Sequence, residues 1–172
     1  MPRMIVHVEL RPLVSQDKMV IAKLANNKKI WDNLRDAIPF PYTEADATNF
    51  IAFAKTKNPL EIFGITVNRD LCGIIEISTQ NDVYQKTGEI GYWIGEPYWG
   101  KGIGTEAIHL MTAYGFDVLQ LERIQAGVFA FNPISMHVLE KNGYVKEGVF
   151  RKAIVKNRRI CDEHRYAKLK GE

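Results

Sequence analysis

Tyr92-Trp93-Ile94-Gly95-Glu96-Pro97-Tyr98-Trp99-Gly100-Lys101-Gly102-Ile103-Gly104-Thr105-Glu106-Ala107 is the stretch from which this chain is best read. An apolar, aromatic run stops at Gly95-Glu96-Pro97, and three glycines then alternate with Lys101 and Ile103. Ala107, Ile108, Met111, Tyr114 and Val118 follow three or four apart, the spacing of one helix face. A strand, a glycine-rich turn and a helix N-terminus in that order make an anion site. Glycines let successive N–H groups converge on one spot, and the helix dipole adds partial positive charge there. Phosphate or pyrophosphate is the natural ligand, although glycines also gather in turns for steric reasons alone. No Gly-Lys-Ser/Thr follows at P-loop spacing. A dinucleotide fold is also a poor match, because the loop lies past mid-chain behind what reads as antiparallel hairpins.

Working outward, His7 to Leu13 reads as a strand, and Ser15 as the cap of a helix reaching Asn26 with Asp17 in its first turn. Asn27 to Ile38 reads as a second helical piece. Thr43, followed by Glu44 and Asp46, caps a third helix that buries Ala47, Phe50, Ile51 and Ala54. Ile62–Val67 and Cys72–Ser78 form a hairpin across Asn68-Arg69-Asp70, and Glu89–Ile94 is the strand that enters the loop. Arg123–Phe131 is a strand, Asn132-Pro133 opens a helix and Asn142-Gly143 closes it. Two last strands, Val145–Val155 and Arg159–Leu169, pair across Asn157. The order is β-αα-βββ-α-β-α-ββ, an α/β (α+β) sandwich with a mixed, mostly antiparallel seven-stranded sheet in a single domain over residues 1–172.

The 172 residues, 46% hydrophobic and 25% charged, have an ordinary globular composition. No apolar run reaches bilayer length and no signal peptide is read, so no membrane partner is expected. Two cysteines, Cys72 and Cys161, argue against a disulfide scaffold and for a reducing, cytoplasmic setting. His7, His109, His137 and His164 have no ligand spacing, so no metal is expected. A net charge of +3 is too small to argue for nucleic acid. Lys152, Lys156, Arg158 and Arg159 read as a solvated hairpin.

Three blocks carry a family resemblance. Trp99-Gly100-Lys101-Gly102-Ile103-Gly104 resembles the pyrophosphate loop of the GNAT acetyltransferases, Gln/Arg-x-x-Gly-x-Gly/Ala, with Trp99 departing from the first position. Tyr98 to Ala107 is similar to the RimJ/RimL-type branch, the ribosomal-protein alanine/serine N-acetyltransferases, in which that Trp is usual. Asn132-Pro133-Ile134-Ser135 with Glu140-Lys141-Asn142-Gly143-Tyr144 resembles a second segment of the branch. Pro39-Phe40-Pro41-Tyr42-Thr43-Glu44-Ala45-Asp46-Ala47 resembles a third.

The resemblance implies a GNAT fold and direct attack of a neutral amine on the thioester of acetyl-CoA. Such a reaction needs a cofactor site, a base for the amine and stabilisation of the oxyanion and thiolate. It implies that the amides of Gly100, Lys101, Gly102, Ile103, Gly104 and Thr105, beside Trp99, hold the pyrophosphate. The pantetheine arm would pair with the strand carrying Trp93 and Ile94. Asn132 would reach a pantetheine amide, or serve only as a helix cap. Glu89 is the candidate base, its pKa raised by burial beside Ile90 and Trp93, or else a solvated glutamate. The position at which many GNAT enzymes carry an acidic tyrosine is Leu139 here, and Ser135 is the substitute the branch suggests. Trp31, Tyr42 and Tyr92, with Phe40, would lie on the acceptor side by analogy, unless they are core. Tyr144 reads as core, and Glu106 as a support for the loop. The acceptor is a primary amine, a protein N-terminus or a small amine, and a homodimer is a further implication. A non-catalytic acyl-CoA-binding or sensing module is the alternative.

Overall fold

The computed structural model describes residues 6–172. Its strands are β1 (Val8–Arg11), β2 (Ile62–Val67), β3 (Asp70–Thr79), β4 (Thr87–Ile94), β5 (Arg123–Phe129), β6 (Val145–Lys156) and β7 (Arg159–Leu169). The helices are α1 (Lys18–Ala25), α2 (Lys28–Trp31), α3 (Glu44–Ala54), α4 (Ile103–Asp117) and α5 (Pro133–Lys141). The seven strands lie in the order β1-β2-β3-β4-β5-β7-β6. Every neighbouring pair is antiparallel except β4–β5. This is the mixed, mostly antiparallel sheet expected from the order of elements.

The period-2 alternation of the strands sorts their side chains into two cores. Ile75, Ile77, Ile90 and Ile94 face α4 and α5, packing on Ile103, Ala107, Ile108, Met111 and Leu139. Ile62, Leu71 and Ile74 face the other way, against Ile21, Ala22 and Ala25 of α1 and Ala47, Ile51 and Ala54 of α3. The chain reverses between β2 and β3 on Asn68 (φ 49°) and Arg69 (φ 72°), and between β6 and β7 on Asn157 (φ 51°) and Arg158 (φ 63°). Two successive left-handed residues suit a tight hairpin, because their twist matches that of the strands.

Thr43 caps α3 as expected, with a reciprocal capping box: Asp46 N–H donates to Thr43 Oγ1 at 3.2 Å and Thr43 N–H to Asp46 Oδ2 at 2.8 Å. Three local expectations change. Ser15 opens a 3-10 turn rather than capping α1, and the capping acceptor is Asp17, which takes the Val14 N–H at 2.8 Å and pairs with Arg11. The helical piece expected over 27–38 stops at Trp31, because the Trp31 indole N–H donates to the Ile38 carbonyl at 2.9 Å and folds the chain back. Lys156 is not solvated. It is 3% exposed, 3.3 Å from the Trp31 ring centroid and hydrogen-bonded to Asp36 and the Leu34 carbonyl. Among the described residues no helix is long and apolar enough to cross a membrane, and no three potential metal ligands cluster.

Candidate active site

The parallel pair β4–β5 is short. Its rungs are Thr87↔Arg123, Gly88↔Ile124 and Glu89↔Gln125, after which both strands run on unpaired with each other, to Ile94 and to Phe129. β4 stays bonded to β3 along its other edge as far as Gly73↔Ile94. A wedge therefore opens between the C-terminal halves of two parallel strands, with one edge of β4 free to accept an extended ligand as an added strand.

The glycine loop stands at the wide end of that wedge. Gly100 (φ +73°) and Gly102 (φ +76°) are left-handed, and a Cβ on either would touch nothing within 4 Å, so conformation and not space requires glycine. Gly102 is the N-cap of α4 and offers no side chain, and the first intrahelical bond is Glu106 N–H to the Gly102 carbonyl at 3.2 Å. The amides of Gly100, Lys101, Gly102, Ile103, Gly104 and Thr105 donate to no described group. Orphan N–H groups at a helix start, added to its dipole, are what an anion binds. The loop is braced by the Trp99 indole, which donates to the Ile94 carbonyl at 2.7 Å, and by Asn142, whose Nδ2 donates to the Thr105 carbonyl at 3.1 Å.

Glu89 sits at the apex of the wedge, but not in the apolar setting expected for it. Arg165 Nη1 and Nη2 donate to its two oxygens at 3.0 and 2.9 Å, Gln125 Nε2 donates at 3.0 Å and the Gly127 N–H at 3.2 Å. The expected environment is corrected because β7 packs next to β5 and presents Arg165 on the Glu89 side. Gly127 makes this possible, since a Cβ there would lie 2.5 Å from Arg165 Nη1.

The three aromatic residues expected on the acceptor side do not gather on one face of the sheet. Tyr92 points to the α4 side, its ring 3.2 Å from the place a Gly104 Cβ would take. Burial pushes its phenol up, and the nearby Ser135 side chain opposes this. Tyr42 is 9% exposed in the core between α1 and α3, and burial pushes its phenol to about 12. Trp31 is occupied by Phe40, stacked at 5.5 Å, and by Lys156. Trp93 faces the α1/α3 side and Ile94 the α4 side, so β4 offers the wedge its backbone. Asn132 caps α5, its Oδ1 accepting the Ser135 N–H at 3.3 Å.

The family model for the acetyltransferase (GNAT) domain matches residues 7–145. The chain belongs to the GNAT acetyltransferase family. It is 47% identical over 79 residues to the probable N-acetyltransferase YjcK of Bacillus subtilis, a match spanning 46% of this chain and 43% of that one. A ribosomal-protein-serine acetyltransferase of Escherichia coli is 29% identical over 63% of this chain and 60% of its own, in keeping with the RimJ/RimL-type branch. The solved microcin C7 self-immunity acetyltransferase MccE, in complex with acetyl-CoA and AMP, superposes with a TM-score of 0.79 at 27% identity. It covers 94% of this chain and 92% of MccE.

As a GNAT chain this one has individual features at Leu139, Tyr144 and Glu76. Leu139, at the position where many members carry an acidic tyrosine, is 2% exposed in the core and offers no proton. Tyr144 is core as expected, 3% exposed, its hydroxyl sharing a 2.8 Å hydrogen bond with Thr112. Glu76 of β3 was not singled out from the sequence, yet it lies directly across from Gly91 of β4 on the α1/α3 face of this GNAT sheet. Burial pushes its carboxyl above the ordinary carboxylate range, Glu61 adds to that, and Arg35 opposes it. The available signal was one charge inside the apolar run Leu71-Cys72-Gly73-Ile74-Ile75-Glu76-Ile77.

Proposed function

We propose that this GNAT chain transfers the acetyl group of acetyl-CoA to a primary amine by direct attack. The observation that carries the reading is the run of unpaired amides from Gly100 to Thr105 at the mouth of the β4–β5 wedge. In that reading the pyrophosphate takes those amides, and the pantetheine lies along the free edge of β4 beside Trp93 and Ile94. Ser135, in the first turn of α5 close to Tyr92, we read as the group that passes a proton to the leaving thiolate. A thiol is a fair leaving group near pKa 8.5, so a strong acid is not required. Glu89, held by Arg165, we read as the group that pins β4, β5 and β7 at the apex, and not as the proton acceptor first expected of it.

The acceptor class is a protein N-terminus or a small amine. Relatives in Escherichia coli are named for both, the ribosomal-protein-serine acetyltransferase and a spermidine N(1)-acetyltransferase 28% identical over 82% of this chain. The buried Leu139 favours a second reading, an acyl-CoA-binding or sensing module without turnover. Calorimetry with acetyl-CoA tests the binding reading, and absence of heat at millimolar cofactor ends it. Thiol release with Ser- and Ala-initiated peptides and with spermidine separates the two readings. Turnover of any of them is expected, and binding without turnover selects the sensor.

A further inference from the structure

We propose that Glu76 is the catalytic base of the acetyl transfer, accepting a proton from an amine that enters over Gly91 from the α1/α3 face. This rests on the acetyl-transfer reading above and adds to it the group that receives the proton.

The argument begins with register. Glu76 pairs with Gly91, which is two residues beyond Glu89, the last β4 residue bonded to β5. A thioester arm lying along the free edge of β4, with its pyrophosphate at the loop, ends at this closed end of the wedge. Gly91 contributes no side chain there. A Cβ built on it would have a single neighbour within 4 Å, Glu76 Oε1 at 3.9 Å, so the space above Gly91 is open and bordered by that carboxylate. Glu89 is saturated by Arg165, Gln125 and the Gly127 amide, whereas the Glu76 carboxylate accepts no hydrogen bond from any described residue.

The charges around it suit a group that takes up a proton. Glu61, buried and receiving the Thr79 hydroxyl, immediately precedes Ile62, the residue that pairs with Glu76. Arg35, in the segment between α2 and α3, acts on Glu76 through its charge, and the Glu89–Arg165 pair lies further along the face. Burial and Glu61 favour the protonated carboxyl, and Arg35 alone opposes them. A carboxylate whose pKa lies above the ordinary range is a better proton acceptor than a solvated glutamate.

The step balances without a further reactant. An ammonium gives one proton to the Glu76 carboxylate, and the neutral nitrogen forms the C–N bond at the acetyl carbonyl. The C–S bond breaks with its electron pair on sulfur, the nitrogen's second proton passes to that thiolate, and Glu76 returns its own proton to water.

Glu76→Gln keeps the shape of the side chain and removes the base. With spermidine and a Ser-initiated peptide as probes, its kcat/KM is expected to fall about 100-fold or more. The acid limb of the pH–rate profile should vanish, and acetyl-CoA affinity by calorimetry should match wild type. A rate within about threefold of wild type, or a retained acid limb, overturns the proposal. Carbon-detected NMR titration of the Glu76 carboxyl in the whole protein decides independently of turnover. Titration above the ordinary carboxylate range, with a shift on adding acetyl-CoA, supports the assignment, and ordinary titration indifferent to acetyl-CoA overturns it. Failure of acetyl-CoA to bind wild type at all would instead sink the acetyl-transfer reading, and the assignment of Glu76 with it.

Discussion

Gly102 shows how much one residue decides. It holds φ +76° with open space where a Cβ would stand, so any substitution there suffers conformational strain and no collision. Gly102→Ala is expected to cost about 1–2 kcal/mol of folding stability by denaturant titration. Acetyl-CoA affinity should weaken at least as much, because relief of the strain would turn the amides away from one another. At the apex, Arg165 is 18% exposed and holds Glu89 in two bonds. Arg165→Met leaves that carboxylate without its main partner. A loss of about 1–2 kcal/mol is expected, less than for a fully buried pair because Glu89 is 34% exposed. A melting temperature equal to wild type would show that Gln125 and the Gly127 amide suffice.

Among the elements, the two N-terminal helix starts use different devices. The Thr43–Asp46 box of α3 is local, and Thr43→Ala should cost about 1 kcal/mol, read as a melting shift of about 2–4 °C. The start of α1 depends instead on Asp17, whose carboxylate is tied to Arg11 at 2.8 Å and to the Val14 amide at 2.8 Å. Burial alone would raise its pKa from the ordinary 3.8, but the Arg11 hydrogen bonds, the Val14 amide and the Arg11 charge outweigh it, and the net direction is down. A lowered folded-state pKa gives stability that is present above the unfolded value and is lost as pH falls through the folded one. The stability gap between wild type and Asp17→Asn should therefore be constant near neutrality and narrow below about pH 4. A gap that does not change down to pH 2 would mean the pair contributes nothing.

Across the whole molecule, the tip of the β6–β7 hairpin is fastened to the segment after α2. Lys156 is covered by the Trp31 ring and bound to Asp36 and the Leu34 carbonyl, and Asn157 Nδ2 donates to Asp32 at 2.9 Å. Lys156→Ala removes the cation at the centre of this clasp. A loss of about 2 kcal/mol is expected, since cation–π contacts strengthen when desolvated. Faster hydrogen exchange should be confined to the hairpin tip and residues 31–38, and uniform exchange changes would contradict a local clasp. The same segment carries Arg35, whose charge acts on Glu76.

The residues themselves settled what depends on near neighbours along the chain. Glycines at 100 and 102 announce left-handed backbone, Thr43 and Asn132 announce helix starts, and Asn68 and Asn157 announce reversals, because each effect spans a few bonds. The order of elements followed, and with it the sheet and the glycine loop before α4. Folding alone decided which strands lie side by side and where each side chain then points. Glu89 meets Arg165 76 residues away, Lys156 leaves solvent for Trp31, Tyr92 turns to α4, and Glu76 comes to border the open space over Gly91. Spacing along the chain carries no information about such pairs. Their energy comes from burial and contact across the sheet, which exist only once β4 and β5 have paired for three rungs and parted.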